Sequence, residues 1–182
     1  MTDIFRLNIR DVVKDARGTN FQHKAVSKGY KVESIKTTES YLVNKKFDQE
    51  TKQSLAQMLS NPVFEVSTVD AINAPEVFTY AVEIGFLPGV TDNLGATVRE
   101  AIEDKTKQKF DYPTENVFSS LVLYISGDID EFQAKKIGFL FANPLIQRVS
   151  VKSFSVYQSD GGMDLIIPVV KLDHAPSVDQ VD

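Results

Sequence analysis

Residues 4–9 alternate, with Phe5, Leu7 and Ile9 on one side and Arg6 and Asn8 on the other. That is the period-two signature of a half-buried strand. A helical pattern follows from Asp15 to about Lys28. Asp15 is placed to cap it, since its carboxylate can accept from the free N–H groups of the first turn. Gly18 sits in that first turn, where a missing side chain lets a helix approach a neighbouring backbone, and Gly29 is a C-terminal stop. Residues 30–35 and 40–44 read as a second and a third strand. Asp48 caps a second helix over 49–59, with Leu55, Met58 and Leu59 at helical spacing. Asn61-Pro62 ends it, because a residue before proline disfavours the helical region. Residues 63–69 form a fourth strand.

After a short connector the pattern begins again. Val82, Ile84 and Phe86 alternate as Phe5, Leu7 and Ile9 do, 77 residues on, and Asp92-x-x-Gly95 repeats Asp15-x-x-Gly18 at the same offset. A helix over about 93–104, a polar stretch over 105–116, a strand over 120–126 and a helix over about 130–142 follow. Asn143-Pro144 then falls on Asn61-Pro62 at an offset of 82. The change of offset places five extra residues in or near 105–116, where a loop absorbs them at small entropic cost. Self-similarity of this kind marks one supersecondary unit used twice.

Strand-helix-strand-strand-helix-strand is the split ferredoxin-like order. The predicted fold is therefore α+β: two ferredoxin-like (βαββαβ) repeats, each with helices on one face of an antiparallel sheet. One unit of roughly 75 residues is small for a self-sufficient core. Two units solve this by stacking their bare sheet faces or by sharing sheet edges, giving a pseudo-twofold, dimer-like unit in one covalent chain. The division is repeat 1 over 1–70, a connector over 71–77, repeat 2 over 78–157, and an extended tail or linker over 158–182. Within the tail, residues 165–170 form an apolar run broken by Pro168, which reads as an edge strand or an extended segment needing a cover.

The chain carries a formal charge of −5, which argues against nucleic acid or an anionic membrane as a main partner. It contains no cysteine, so disulfides, thiolate nucleophiles and thiolate metal sites are excluded. Neither a secretory signal nor an apolar run of about 20 residues, the length of a membrane span, is evident. A cytoplasmic protein is expected.

No residue set demands catalysis. His23 and His174 are the only histidines; the first reads as a solvated helix side chain and the second lies in the tail, so a transition-metal site is not expected. Asp15 and Asp92 could serve acid–base chemistry, but equivalent places before two helices favour capping. Pro88-Gly89 and Gly95 invite a phosphate-loop reading, yet the Gly-Lys-Ser/Thr of a nucleotide loop is missing. Asn61 and Asn143 can serve an interface or the preceding helix ends. The acidic stretch 127–131 reads as a helix start. Phe47, Phe64, Phe78, Phe110, Tyr112 and Phe118 lie in or beside loops, where exposed aromatics mark partner contacts; the alternative is that half of them are core.

The segments Asp15-Ala-Arg-Gly18, Gly29-Tyr-Lys-Val32, Tyr41-Leu-Val43 and Leu59-Ser-Asn-Pro-Val-Phe-Glu65 in the first copy carry a resemblance to a known family. So do Leu87-Pro-Gly-Val-Thr-Asp-Asn-Leu-Gly95, Tyr124-Ile125 and Leu140-Phe-Ala-Asn-Pro-Leu-Ile-Gln147 in the second. Over roughly residues 4–155 each copy resembles PurS, the small subunit of phosphoribosylformylglycinamidine synthase, the glutamine-dependent enzyme of purine biosynthesis. Residues 167–174 are similar to the linker that leads into the synthetase domains of single-chain forms. The resemblance implies a non-catalytic assembly role within a ligase. Such a module bridges the synthetase and glutaminase parts and supports ammonia transfer. It would hold no cofactor itself, with ATP and Mg bound by the partner synthetase. Asp15, Gly18, Asn61, Pro62, Pro88, Gly89, Asp92, Gly95, Asn143 and Pro144 are the structural or interface candidates. The expected partners are the synthetase and glutaminase subunits or domains, with homo-oligomerisation a further option. The alternative is a small-molecule-sensing regulatory domain, since paired ferredoxin-like units also bind amino acids at their shared interface.

Overall fold

Between Val32 and Asn44 the chain has neither glycine nor proline, and it runs through these 13 residues as one strand. The computed structural model describes residues 4–168. In chain order these form β1 (Ile4–Asp11), α1 (Ala16–Ser27), β2 (Val32–Asn44), α2 (Gln49–Leu59) and β3 (Glu65–Val69). They continue with β4 (Tyr80–Phe86), α3 (Asn93–Thr106), β5 (Asn116–Gly127), α4 (Glu131–Phe141), β6 (Gln147–Ser153) and α5 (Phe154–Ser159). The strands form a single antiparallel sheet in the order β3-β1-β2-β5-β4-β6.

The eight-strand expectation is corrected here to six strands among the described residues. The predicted second and third strands are the two ends of β2, because Thr37 and Thr38 extend the strand where a hairpin would need a turn residue. β5 is continuous in the same way. β2 and β5 pair with each other from Ser34–Ser126 to Asn44–Asn116. Of the two arrangements left open by the sequence, edge sharing is therefore the one adopted. The central pair of this ladder, Glu39 and Leu121, is itself 82 residues apart.

The registers also correct the alignment of the first strands. Leu7 lies between Tyr41 and Val69. The residues 82 further on, Leu123 and Val151, flank Val82. Leu7 therefore corresponds to Val82, at an offset of 75 rather than 77. The alternation alone could not fix this, since a shift of two keeps every side chain on its face. The two residues gained lie in the β4–α3 turn, which holds Pro88 and Gly89, and five more lie between α3 and β5.

Helices α1 to α4 lie over one face of the sheet and divide its core in two. One cluster gathers Phe5, Leu7, Tyr41, Leu55 and Val69 with Val98, Ile102, Phe110 and Val117. The other gathers Ala25, Val32 and Ile35 with Val82, Ile84, Leu123, Ile125 and Ile137. Each cluster mixes residues from before and after the connector. α1 packs beside α4, where Phe21 and Phe141 stack with ring centroids 4.0 Å apart.

The opposite face is not bare. The connector after β3 and the segment from α5 to Ile166 lie against it, where Phe78, Tyr124, Tyr157 and Met163 form a third cluster. α5 is an element that the sequence pattern did not announce. Residues 164–168 carry no strand. The rest of the predicted run and tail, 169–182, with His174, lies outside the described residues.

Candidate functional site

The two Asp-x-x-Gly motifs build the same knot twice. Asp15 caps α1 through Oδ1, which accepts from the Gly18 N–H at 2.6 Å, and its carboxylate also takes the backbone N–H and hydroxyl of Thr37 in β2. Asp92 caps α3, accepting from the Gly95 N–H at 2.7 Å, and takes the Ser119 N–H and hydroxyl at 2.5 and 2.8 Å. A side chain at Gly18 would collide with the Ile35 carbonyl, and one at Gly95 with the Val117 carbonyl. Both carboxylates thus tie a helix start to a long strand, with every oxygen accepting at least one hydrogen bond.

The Asn-Pro turns are also duplicated atom for atom. Asn61 Oδ1 accepts from the Val63 N–H at 3.1 Å, and Glu65 Oε2 accepts from the Asn61 N–H at 2.6 Å. Asn143 Oδ1 accepts from the Leu145 N–H at 3.1 Å, and Gln147 Oε1 accepts from the Asn143 N–H at 2.8 Å. Pro62 and Pro144 start these turns, and the apolar pairs after them point outward. Val63 and Phe64 are 68% and 52% exposed, and Leu145 and Ile146 are 84% and 37% exposed. Each turn is bonded to the loop after a neighbouring strand: Val12 N–H donates to the Phe64 carbonyl, and Leu87 N–H to that of Ile146. Val12 and Val13 add exposed apolar surface at the first corner. Pro88 and Gly89 form the tip beside the second, with Gly89 at φ +80° and the Val90 N–H closing back to the Leu87 carbonyl.

The loop aromatics divide. Phe47, Phe78 and Phe110 are buried, Phe64 and Tyr112 are exposed, and Phe118 is half-buried. His23 is exposed on α1.

No sequence pattern points to the polar seam under the C-terminal segment. Arg6 and Glu83 are both buried and joined at 2.8 Å. Glu83 Oε1 also accepts from the Ser120 hydroxyl at 2.8 Å, and Arg148 reaches Oε2 at 3.3 Å. Arg6 also donates to Ser40 Oγ and to the Asp164 carbonyl at 2.7 Å, while its buried Nε has no partner among the described residues. Lys152, also buried, holds Asp160 and Asp164 at 2.7 Å each and the Gly162 carbonyl at 3.0 Å. Burial works against the charge of Lys152, but the two carboxylates prevail and raise its pKa. Beside this seam, Tyr124 and Tyr157 share a hydroxyl–hydroxyl bond of 3.0 Å, and burial pushes both phenols up. Charged residues alternating with apolar ones in a strand read as solvent-facing, which conceals that a later segment covers these.

Next to the seam a cleft of about 330 Å³ opens between β1, the connector, β5 and the turn after α5. Its walls include Ile4, Ile72, Val122 and Met163, and its charged groups are Arg6, Asp70 and Asp160. Among the described residues no group of three or more His, Cys, Asp or Glu side chains is placed to hold a metal ion. No helix among them is long and apolar enough to cross a membrane. No protein-family model matches the sequence, and no curated protein matches it.

Proposed function

We propose that the chain is a non-catalytic assembly module of a cytoplasmic, glutamine-dependent phosphoribosylformylglycinamidine synthase, built from two PurS-like repeats related by a pseudo-twofold axis. In this reading the axis passes between Glu39 and Leu121, and each repeat is a ferredoxin-like unit whose second strand is lent to the other half. ATP and Mg are held by the partner synthetase. The observation that carries the reading is the duplicated Asn-Pro turn, which presents Val63 and Phe64 at one corner and Leu145 and Ile146 at the other. Exposed apolar pairs fixed on rigid turns suit docking against larger proteins. The engagement of Asp15 and Asp92 in capping agrees with a module that supplies no catalytic group.

Binding to the synthetase–glutaminase pair of the same pathway tests this. The intact chain is expected to be retained on the assembled pair and to show neither ATPase nor glutaminase activity alone. Phe64→Asp and Leu145→Asp are expected to weaken retention by about tenfold or more while leaving the unfolding temperature unchanged, since both side chains face solvent. Loss of neither binding nor assembly in the double variant would contradict the proposal.

The cleft of about 330 Å³ favours a second reading, a regulatory domain that senses a small molecule. That reading expects protection from heat unfolding by a specific small ligand.

A further inference from the structure

The cleft has a definite electrostatic character. Among the described residues its one basic lining residue is Arg6, whose two terminal nitrogens are committed to Ser40, to Glu83 and to the Asp164 carbonyl. Asp70 is less committed. Its Oδ1 accepts from the Arg6 backbone N–H at 2.8 Å, while Oδ2 has the Lys52 ammonium only at 4.0 Å. Its backbone is left-handed, at φ +50°, and the Asp70 N–H donates to the Arg6 carbonyl. The carboxylate is thus held on the wall, half-exposed, and among the described residues its one cationic partner is Lys52 at the long distance of 4.0 Å. Asp160 adds a second half-exposed carboxylate, shared with Lys152. The rest of the lining is mixed: Ile4, Ile72, Val122 and Met163 form an apolar wall, with Asn8, Tyr124 and Tyr157 beside it. A carboxylate in a recess partly walled by apolar side chains attracts a cation and repels an anion more strongly than in open water.

We infer that this cleft binds a small primary amine with an apolar body, its ammonium on Asp70 and its body against the apolar wall. The inference rests on the sensing reading of the cleft and narrows it: an amino acid would bring its own carboxylate towards Asp70 and Asp160 and is disfavoured. Nothing in it depends on the assembly role.

Titration calorimetry and thermal unfolding of the intact chain with four matched probes test it: phenethylamine, its neutral isostere 2-phenylethanol, the anion phenylacetate, and phenylalanine. Phenethylamine is expected to bind and to raise the unfolding temperature. 2-Phenylethanol is expected to bind about tenfold more weakly or less, and phenylacetate and phenylalanine not at all. Asp70→Asn keeps the acceptor for the Arg6 N–H and tolerates the left-handed backbone. It is expected to unfold as the parent does and to lose about tenfold in phenethylamine affinity. Met163→Trp, which fills the recess, is expected to abolish binding. Equal binding of amine and alcohol, or an Asp70→Asn variant of unchanged affinity, overturns the assignment. Preferred binding of phenylalanine also overturns it while leaving the sensing reading standing, and no binding by any probe removes both.

Discussion

Asp15 and Asp92 show how much one side chain can tie together. Each caps a helix and, with the same carboxylate, holds a threonine or serine of the long strand beneath it. Truncation removes the cap and strands buried donors, so Asp15→Ala and Asp92→Ala are each expected to cost about 3 kcal/mol in chemical unfolding. Capping was legible in the sequence, because Asp-x-x-Gly opening an apolar-periodic run is a local signal. The bonds to Thr37 and Ser119 were not, because they depend on which strand lies under the helix. Arg6 and Glu83 escaped for the same reason: their burial is set by a segment more than 70 residues away. Glu115 offers a pH test. Its carboxyl is held below the ordinary 4.5 by hydrogen bonds from the Lys45 ammonium, at 2.5 Å, and from the Asp111 N–H. A carboxylate with a lowered folded pKa contributes stability above its unfolded value and loses it as pH falls through the folded one. The stability gap between the parent and Glu115→Gln is therefore expected to be full at neutral pH and to close below 4.5, read by urea unfolding across a pH series.

At the scale of elements, the helices crossing between halves matter most. Ile102 of α3 is fully buried in the cluster that contains Phe5 and Leu7 of β1. Ile102→Ala is expected to cost about 3 kcal/mol and to speed amide exchange in Phe5–Ile9, although the mutated helix belongs to the other half of the chain. Exchange confined to residues after the connector would mean that the two halves are not coupled through this cluster. The first four helices were legible from caps and 3.6-residue periodicity, and the Asn-Pro turns from their own chemistry. The fusion of two predicted strands into β2 was missed because Lys36 to Glu39 are polar, and a polar stretch between apolar runs looks like a turn. Here it continues as strand, paired along β5. α5 was missed because six residues are too few to show a period.

For the whole molecule, the joining of the two halves matters most. The sheet is continuous only through the β2–β5 ladder, and both helix-side clusters draw residues from before and after the connector. Neither half can therefore bury its own apolar surface, and the fold is a joint product of both. The repeat spacing and the small size of each unit pointed to two units packing together; that the strands join in one sheet was set by the length of β2 and β5, which only the tertiary partners reveal. Splitting the chain in the connector, into 1–77 and 78–182, tests the claim most directly. Each fragment alone is expected to lack a cooperative unfolding transition, and an equimolar mixture is expected to restore one with native sheet content. A fragment that unfolds cooperatively by itself, with its strand signal intact, would contradict the account.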